Sequence, residues 1–411
     1  MESLSPNVSR RFGLVEALIA AISVLALVAF CRPWWRLLGF FWDTSVYERA
    51  ATDYLQGVDA YRRDVRFPFV YHPLVLRGLA CLKALLSLKA LLPMLTLAAL
   101  AWFFVELWRA GRSSPADGRA RDTLDTRAID PTRIGLGLLA AAGFGGIGIP
   151  ALMSGNLSPL MHFALMAAFL RGRDAARAFW RYLPYGLIFL FALVKPYLLI
   201  YLAVPVLVYE SRAKALACSA LVVALFALTW LSFKLEWPTE YASFVANLSW
   251  HVLGKGDVGF SFFYVFATLT HKIPLALGMH TLLSLVLIAL VPLLFTQKYG
   301  RQAPVVPQLM VLYLALTVAN PRMKEYDLFP ALAGFFAVFG LISPRAAPIT
   351  LAGVLLASIP PIVGFFAPDM VMRHPQVLDP FGNWQIIGLA LVAVVLLVEM
   401  QDGQSATKGS H

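Results

Sequence analysis

The run ALACSALVVALFALTWLSF, residues 215–233, contains no charged side chain and decides the fold class of this chain. A membrane-spanning helix needs about 20 mostly apolar residues. Further apolar stretches of this kind occur at 12–30, 90–108, 134–152, 157–170, 183–209, 279–296, 305–319, 328–342, 349–366 and 385–400. The pattern predicts an all-α polytopic membrane protein with about 12 transmembrane helices, within a range of roughly 11 to 13.

The composition excludes a soluble multidomain enzyme. Apolar residues make up 59% of the 411-residue chain and charged residues only 14%, whereas soluble domains carry about 25% charged residues. The net charge of +11 suits a lipid bilayer with anionic headgroups, or a phosphate-bearing ligand. No soluble basic module is present that would bind nucleic acid, so we expect no such partner.

The polar segments divide the chain into loops. We predict one polytopic transmembrane domain, 1–400, and a disordered polar tail, 401–411. Within the domain we expect a first outer loop at 31–89, a cytoplasmic loop at 109–133 and an outer loop at 234–278. Apart from the first outer loop, which is unusually basic, Lys and Arg favour the cytoplasmic side as the positive-inside rule requires.

The first outer loop begins with an aromatic cluster and an acidic residue. The aromatic cluster consists of Trp34, Trp35, Phe40, Phe41 and Trp42, and it predicts a position at the membrane–water boundary. Asp43 follows this cluster directly. Ser45 and Glu48 have the spacing of a capping box, and Gly57 is a natural helix terminator. Between them, apolar residues recur on one face: Tyr47, Ala50, Ala51, Tyr54 and Leu55. This pattern predicts a short amphipathic helix at the bilayer surface.

A basic and aromatic segment completes this loop. Arg62, Arg63 and Arg66 precede Tyr71 and His72. Aromatic rings pack against sugars, and arginine forks match phosphate oxygens, so this segment favours a sugar phosphate held at the interface beside the lone carboxylate of Asp43.

Three other places carry candidate functional groups. Lys195 precedes Pro196 inside an apolar stretch, which indicates either a broken helix facing a cavity or a lysine that snorkels from a helix end. Asn156 either caps a helix or contacts a sugar. The loop 320–327 is either a cationic site or an ordinary basic loop, and its candidates are Arg322, Lys324, Glu325, Tyr326 and Asp327. The histidines show no ligand spacing, so we expect no metal.

Together these residues resemble glycosyltransferase family 87. The resemblance covers most of the chain in order, through Ser154-Gly155-Asn156, Lys195-Pro196, the late loop 320–327, and the first-loop residues Asp43, Tyr47, Ala50, Gly57, Tyr61, Tyr71 and Pro73. That family contains polytopic GT-C-type enzymes, among them mycobacterial mannosyltransferases that use polyprenyl-phosphomannose. The late loop of this chain lacks a histidine that some members carry near this position.

The resemblance implies a GT-C-like fold and the transfer of a hexose such as mannose. The donor would be a polyprenyl-phosphate sugar and the acceptor a glycan or glycolipid, at the outer face of a bacterial inner membrane. Asp43 would be the general base of an inverting displacement, and cations would make a metal or other cofactor unnecessary. The expected substrate-binding residues are Tyr47, Tyr61, Tyr71, His72, Asn156, Lys195, Arg322, Lys324, Glu325, Tyr326 and Asp327.

Alternatives remain open at the level of sequence. Asp43 also fits a purely structural role as a favourable charge at a helix start, in which case Asp53 is the reserve base. Glu48 fits a cap better than a catalyst. A secondary transporter or flippase for lipid-linked sugars would also have about 12 spans and a proline-broken helix. Such a carrier should show two matching halves, and we find no second copy of the Asp43 loop.

Overall fold

A computed structural model describes residues 6–38, 40–61, 65, 67–112, 131–173, 178–209, 211–251, 261–299, 305–340, 346–373 and 388–389. All the regular elements within these ranges are helical. The α-helices, in chain order, are α1 Pro6–Leu38, α2 Trp42–Leu55, α3 Pro73–Leu85, α4 Leu88–Arg112, α5 Pro131–Gly143, α6 Gly148–Met153, α7 Leu157–Arg173, α8 Ala178–Val194, α9 Ala203–Val208, α10 Arg212–Glu236, α11 Pro238–Ser249, α12 Phe262–Thr270, α13 Ile273–Tyr299, α14 Val305–Val318, α15 Glu325–Phe335, α16 Ala346–Phe366 and α17 Pro368–Arg373. Phe144–Gly146 and Pro196–Leu202 are 3₁₀ helices, and Phe336–Gly340 is a π-helix. The predicted all-α class is confirmed.

Within the described ranges, three helices are long and apolar enough to cross a membrane: Leu88–Ala110, Arg212–Glu236 and Ile273–Thr296. Shorter apolar helices lie at Leu14–Ala29, Ile134–Gly146, Ala178–Val194, Pro196–Val208, Val305–Val318 and Thr350–Phe366. The protein is therefore a helical membrane protein. The predicted stretch 385–400 and the tail 401–411 lie outside the described residues, apart from 388–389.

The chain forms two compact units. The first takes its described residues from Met1–Gly39, Leu107–Ala151 and Phe260–His411, and the second from Phe40–Glu106 and Leu152–Gly259. In the first unit the residues of α14 from Val306 onward are buried, and in the second most of α7 is buried. Both helices are predominantly apolar, and helices that bury most of their surface form the cores around which others pack.

The first outer loop folds differently at its start from the sequence expectation. Helix α1 continues to Leu38, so it includes Trp34 and Trp35. Helix α2 begins at Trp42, and the predicted capping box is wrong: Ser45 donates its hydroxyl to the Phe41 carbonyl, 3.1 Å away.

Glu48 is also not part of that capping box. Its carboxylate accepts from the Ser87 hydroxyl at 3.1 Å and from the Lys89 amide at 3.2 Å, at the start of α4. The rest of the helix prediction holds in part. Tyr47 and Ala50 are buried, Leu55 is exposed, and Gly57 follows the helix with a φ of +72°.

Within the second unit, α7 and α8 are antiparallel neighbours. Their connection is short, and a Cβ added at Gly172 would lie 2.8 Å from the Trp180 carbonyl. Tyr209 is the residue that follows α9, and its hydroxyl donates to the Phe169 carbonyl at 3.2 Å, near the end of α7. The end of α7, the start of α8 and the end of α9 therefore meet at one end of the unit.

Candidate functional site

The site is built where the start of α2 packs against the turn that precedes α7. The Phe41 amide donates to the Met153 carbonyl at 2.7 Å, and the Asp43 and Thr44 amides donate to the Ser154 carbonyl at 2.9 and 3.4 Å. The first amides of a helix have no partner inside the helix. Here the turn supplies the acceptors, which explains why α2 needs no side-chain cap.

Asn156 connects this turn to Asp43. Its Oδ1 accepts from the Ser158 amide at 2.9 Å, so the side chain caps α7. Its Nδ2 donates to Oδ2 of Asp43 at 2.9 Å. The cap fixes which end of the amide faces which partner, because only the oxygen can accept from Ser158. The predicted cap is confirmed, and the bond to Asp43 is a contact that the sequence did not indicate.

Gly155 permits this close approach. Its φ is +65°, and an added Cβ would lie 2.0 Å from Oγ1 of Thr44, which itself donates to the Gly155 carbonyl at 3.0 Å. Only glycine meets both conditions without strain. Phe41, on the other side of the contact, also has a left-handed backbone, with a φ of 56°. Such a conformation in a bulky residue persists only where surrounding contacts enforce it.

We expect Gly155→Ala to separate α2 from the turn and to move Asp43 away from Asn156. The clash and the left-handed φ together predict a loss of about 1–3 kcal/mol in the free energy of unfolding. Denaturant titration in detergent measures it. Gly78→Ala is the matched control, because a Cβ there meets nothing within 4 Å. Equal stability of the two variants would show that the contact is not tight.

Asp43 lies at the positive end of a helix. Its side chain is half-buried and lies in the first turn of α2, where the aligned peptide dipoles stabilise a negative charge. Through Asn156 it also adjoins the start of α7. A half-buried carboxylate held in one orientation can accept a proton from a hydroxyl group that binds beside it.

Lys195 lies at the same end of the α7–α8 pair as Asn156. Helix α8 ends at Val194, and the Lys195 amide still donates to the Phe191 carbonyl at 2.9 Å. The chain then turns back as a 3₁₀ helix, Pro196–Leu202, in which Tyr201 contacts the His162 ring at a centroid distance of 5.6 Å. Since α8 runs antiparallel to α7, its last residue lies near the first residues of α7.

The predicted helix break at Lys195-Pro196 is therefore confirmed. The lysine is half-buried, and its Nζ lies 5.6 Å from the centroid of the Tyr197 ring. This distance is that of a cation–π contact. The break puts the ammonium group at the helix end instead of at the middle of an unbroken span.

The predicted aromatic residues form the core of a cap made of α2, residues 56–61 and 67–72, α3 and α11. The Tyr47 and Tyr71 hydroxyls are 3.1 Å apart, and the Tyr61 hydroxyl donates to the Tyr71 carbonyl at 3.0 Å. Tyr61 also packs against Phe69 and Phe244, and its burial raises the pKa of its hydroxyl. Tyr47, Tyr61 and His72 are buried in this packing, whereas Tyr71 is half-buried.

His72 joins the cap to α10. Only 1% of the residue is exposed, and its Nδ1 accepts from the Leu74 amide at 3.2 Å as the N-cap of α3. Its ring centroid lies 4.7 Å from that of Trp230 and 5.0 Å from that of Phe233. Burial among these rings lowers the pKa of His72 to about 4.

This pKa predicts an acid-sensitive cap. Below pH 6.5 the histidine binds a proton in the unfolded protein, whereas in the folded protein it stays neutral down to about pH 4. The free energy of unfolding is therefore highest above pH 6.5 and falls as the pH is lowered towards 4. The loss is at most about 1.4 kcal/mol per pH unit and about 3 kcal/mol in total. We expect His72→Asn, which keeps a cap acceptor, to remove this dependence in thermal unfolding measured from pH 7 to 4.

His271→Asn is the control for that experiment. His271 is exposed and has a left-handed φ of 52°, which asparagine tolerates. The variant should keep the acid sensitivity of the parent protein. An unchanged pH profile in the His72 variant would contradict the assignment.

The late loop lies in the first unit, whereas Asp43, Asn156 and Lys195 lie in the second. Oδ1 of Asn320 accepts from the Arg322 amide at 3.0 Å. Asp327 is fully buried, and its carboxylate accepts from the Lys324 amide at 3.1 Å, at the start of α15. The other predicted candidates are half-buried: Arg322, Lys324, Glu325 and Tyr326. Asp327 thus caps a helix, while the convergence of this loop with Asp43 stays a prediction.

The cap contains an ion pair that was not predicted from the sequence. Arg77 pairs with Glu240 at 2.9 Å, and its guanidinium carbon lies 4.2 Å from the Trp237 ring centroid. The residues are too far apart in sequence for any local pattern to signal the pair. Three predicted phosphate ligands, Arg62, Arg63 and Arg66, lie outside the described residues.

Comparison of the chain with protein-family models, curated proteins and solved structures found no match in any of the three. Among the described residues, no group of three or more His, Cys, Asp or Glu side chains could hold a metal ion.

Proposed function

We propose that this protein is a GT-C-like membrane glycosyltransferase with about 12 spans. It would transfer a hexose such as mannose from a polyprenyl-phosphate donor to a glycan or glycolipid acceptor, at the outer face of a bacterial inner membrane. The observation that carries the proposal is the carboxylate of Asp43, which Asn156 holds in place at 2.9 Å.

The proposed reaction is a single displacement. The acceptor hydroxyl attacks the anomeric carbon of the donor sugar, the bond from that carbon to the phosphate oxygen breaks, and the configuration inverts. The hydroxyl proton passes to Asp43 as the new bond forms. The lipid phosphate leaves as a stable anion and needs no proton.

The leaving phosphate needs positive charge near it. Lys195, which lies at the Asn156 end of the α7–α8 pair, is the first candidate, and Arg322 and Lys324 are the others. The proposal requires no metal ion because these cations supply the charge.

The distribution of basic residues supports an outer site. The end of the second unit opposite Asn156 carries Arg171, Arg173, Arg181, Arg212 and Lys214. The positive-inside rule assigns such an end to the cytoplasm. The start of α2 and Lys195 would then face the outside.

We expect Asp43→Asn to lower kcat for sugar transfer by about 10²–10⁴-fold, because the amide cannot accept the acceptor's proton. The assay uses purified protein in detergent with a radiolabelled polyprenyl-phosphate hexose. Glu236→Gln, an exposed carboxylate on α10, is the control and should retain full activity.

Asp53→Asn, in the same helix as Asp43, separates the two candidate bases. Full activity of folded Asp43→Asn combined with loss in Asp53→Asn would transfer the role to Asp53. Full activity of both would reject a base on α2.

Lys195 gives a second test. Lys195→Gln removes the charge near the leaving phosphate and should lower kcat/KM for the donor at least about tenfold. Lys195→Arg should retain more activity than Lys195→Gln, since it keeps the charge. Equal activity of the two variants would show that the lysine is structural.

The rival function is a carrier for lipid-linked sugars. Chemistry survives in detergent, whereas vectorial transport requires a sealed membrane. Covalent sugar transfer by the purified protein supports the enzyme, while movement of the substrate in liposomes without any product would replace the proposal with a transporter.

A further inference from the structure

Helix α12 is strongly apolar, yet none of its residues is fully buried: Thr268 and Leu269 are exposed and the others are half-buried. Its sequence, FFYVFATLT, contains no charged residue, and Leu269 is 71% exposed. A helix that is apolar all round normally lies in a protein core or in a membrane. Since the protein covers α12 only in part, something else must cover the apolar surface that stays exposed.

The position of α12 beside α13 indicates what covers this exposed apolar surface. The two helices are joined only by His271 and Lys272. The Phe263 ring lies 6.2 Å from that of His280, and each is about two turns from the connection. The helices are therefore antiparallel, and α12 lies along the first turns of a candidate membrane span, Ile273–Thr296.

The exposed surface of α12 continues onto α13. Leu275, Leu277 and Leu282 of that helix are at least half-exposed. Since α13 is long and apolar enough to cross a bilayer, this surface would face lipid. The same lipid would extend over α12 without a break.

The length and the hydroxyl groups of α12 suit this environment. Its nine residues span about 14 Å, roughly half the thickness of the hydrocarbon core, so it cannot cross. The Thr268 hydroxyl donates to the Tyr264 carbonyl at 2.9 Å, and the Thr270 hydroxyl to the Phe266 carbonyl at 2.7 Å. Lipid offers no partners for polar groups, and these two hydroxyls find theirs within the helix.

We propose that α12 is a re-entrant helix embedded in one leaflet of the bilayer, with lipid chains as its covering. The basic turn at His271 and Lys272 lies at the headgroups, and the Ser261 end lies deepest. The Ser261 hydroxyl donates to the Pro321 carbonyl at 2.6 Å. This bond ties the late loop to the Ser261 end of α12.

Spin labels on single cysteines test the insertion. The parent is a chain in which Cys31, Cys81 and Cys218 are replaced by serine, reconstituted in vesicles of phosphatidylethanolamine and phosphatidylglycerol. Labels at Leu269→Cys and Phe266→Cys report two depths along α12. Leu282→Cys on α13 is the lipid reference, and Gln56→Cys, exposed beyond α2, is the water reference.

The measured quantity is the ratio of two collision rates for each label, the rate with oxygen divided by the rate with a water-soluble nickel chelate. We expect this ratio to be several-fold higher at both α12 positions than at Gln56, and higher at Phe266 than at Leu269. A ratio equal to that at Gln56 would overturn the proposal, since α12 would face water. Low collision with both reagents would also overturn it, because protein would then cover the helix.

Thr268→Cys provides a second label that replaces an exposed residue of similar size, in case Phe266→Cys does not fold. It should give the same high ratio. The measurement does not depend on catalysis, so its outcome is independent of whether the protein transfers sugars.

Discussion

The candidate site depends on one side chain, the amide of Asn156, which serves two helices at once. Its oxygen caps α7 and its nitrogen holds the carboxylate of Asp43 at the start of α2. Helix starts leave amides that must find acceptors. In this protein one short turn, residues 153–156, satisfies both helices, and Gly155 is the residue that lets them approach.

This arrangement has chemical consequences. Asp43 lies in the first turn of α2, where the helix dipole favours a negative charge, and the Asn156 amide fixes the orientation of its carboxylate. Lys195 lies at the same end of the second unit, where the break at Pro196 ends α8. The aromatic cap, in which Tyr61 and His72 are buried, connects α2 and α3 with α10 and α11. The second unit thus carries the carboxylate of Asp43 and the ammonium group of Lys195 at the end where α7 begins and α8 ends.

Local sequence patterns predicted much of this fold. Apolar stretches predicted the helices, Gly57 predicted the end of α2, and Lys195-Pro196 predicted the break after α8. Each of these features depends on residues that are neighbours in the chain. The predicted start of α2 was wrong. The helix has no capping box of Ser45 and Glu48, because its first amides bind the carbonyls of residues 153 and 154, which lie more than a hundred positions away in the sequence.

The site was predictable only in part for the same reason. Asp43 and Asn156 were both candidates, but nothing in the sequence joined them. Tyr61 and His72 were expected to contact substrate, and the structure buries them among the rings of the cap. Aromatic residues at a membrane boundary have the same sequence signature whether they bind a sugar or each other.

The most direct test of the central claim is mass spectrometry of the products that the purified protein forms from a panel of polyprenyl-phosphate hexoses and glycan or glycolipid acceptors. The account predicts one added hexose, with inverted anomeric configuration, from at least one donor. Intact donors throughout the panel, with a folded protein, would contradict it.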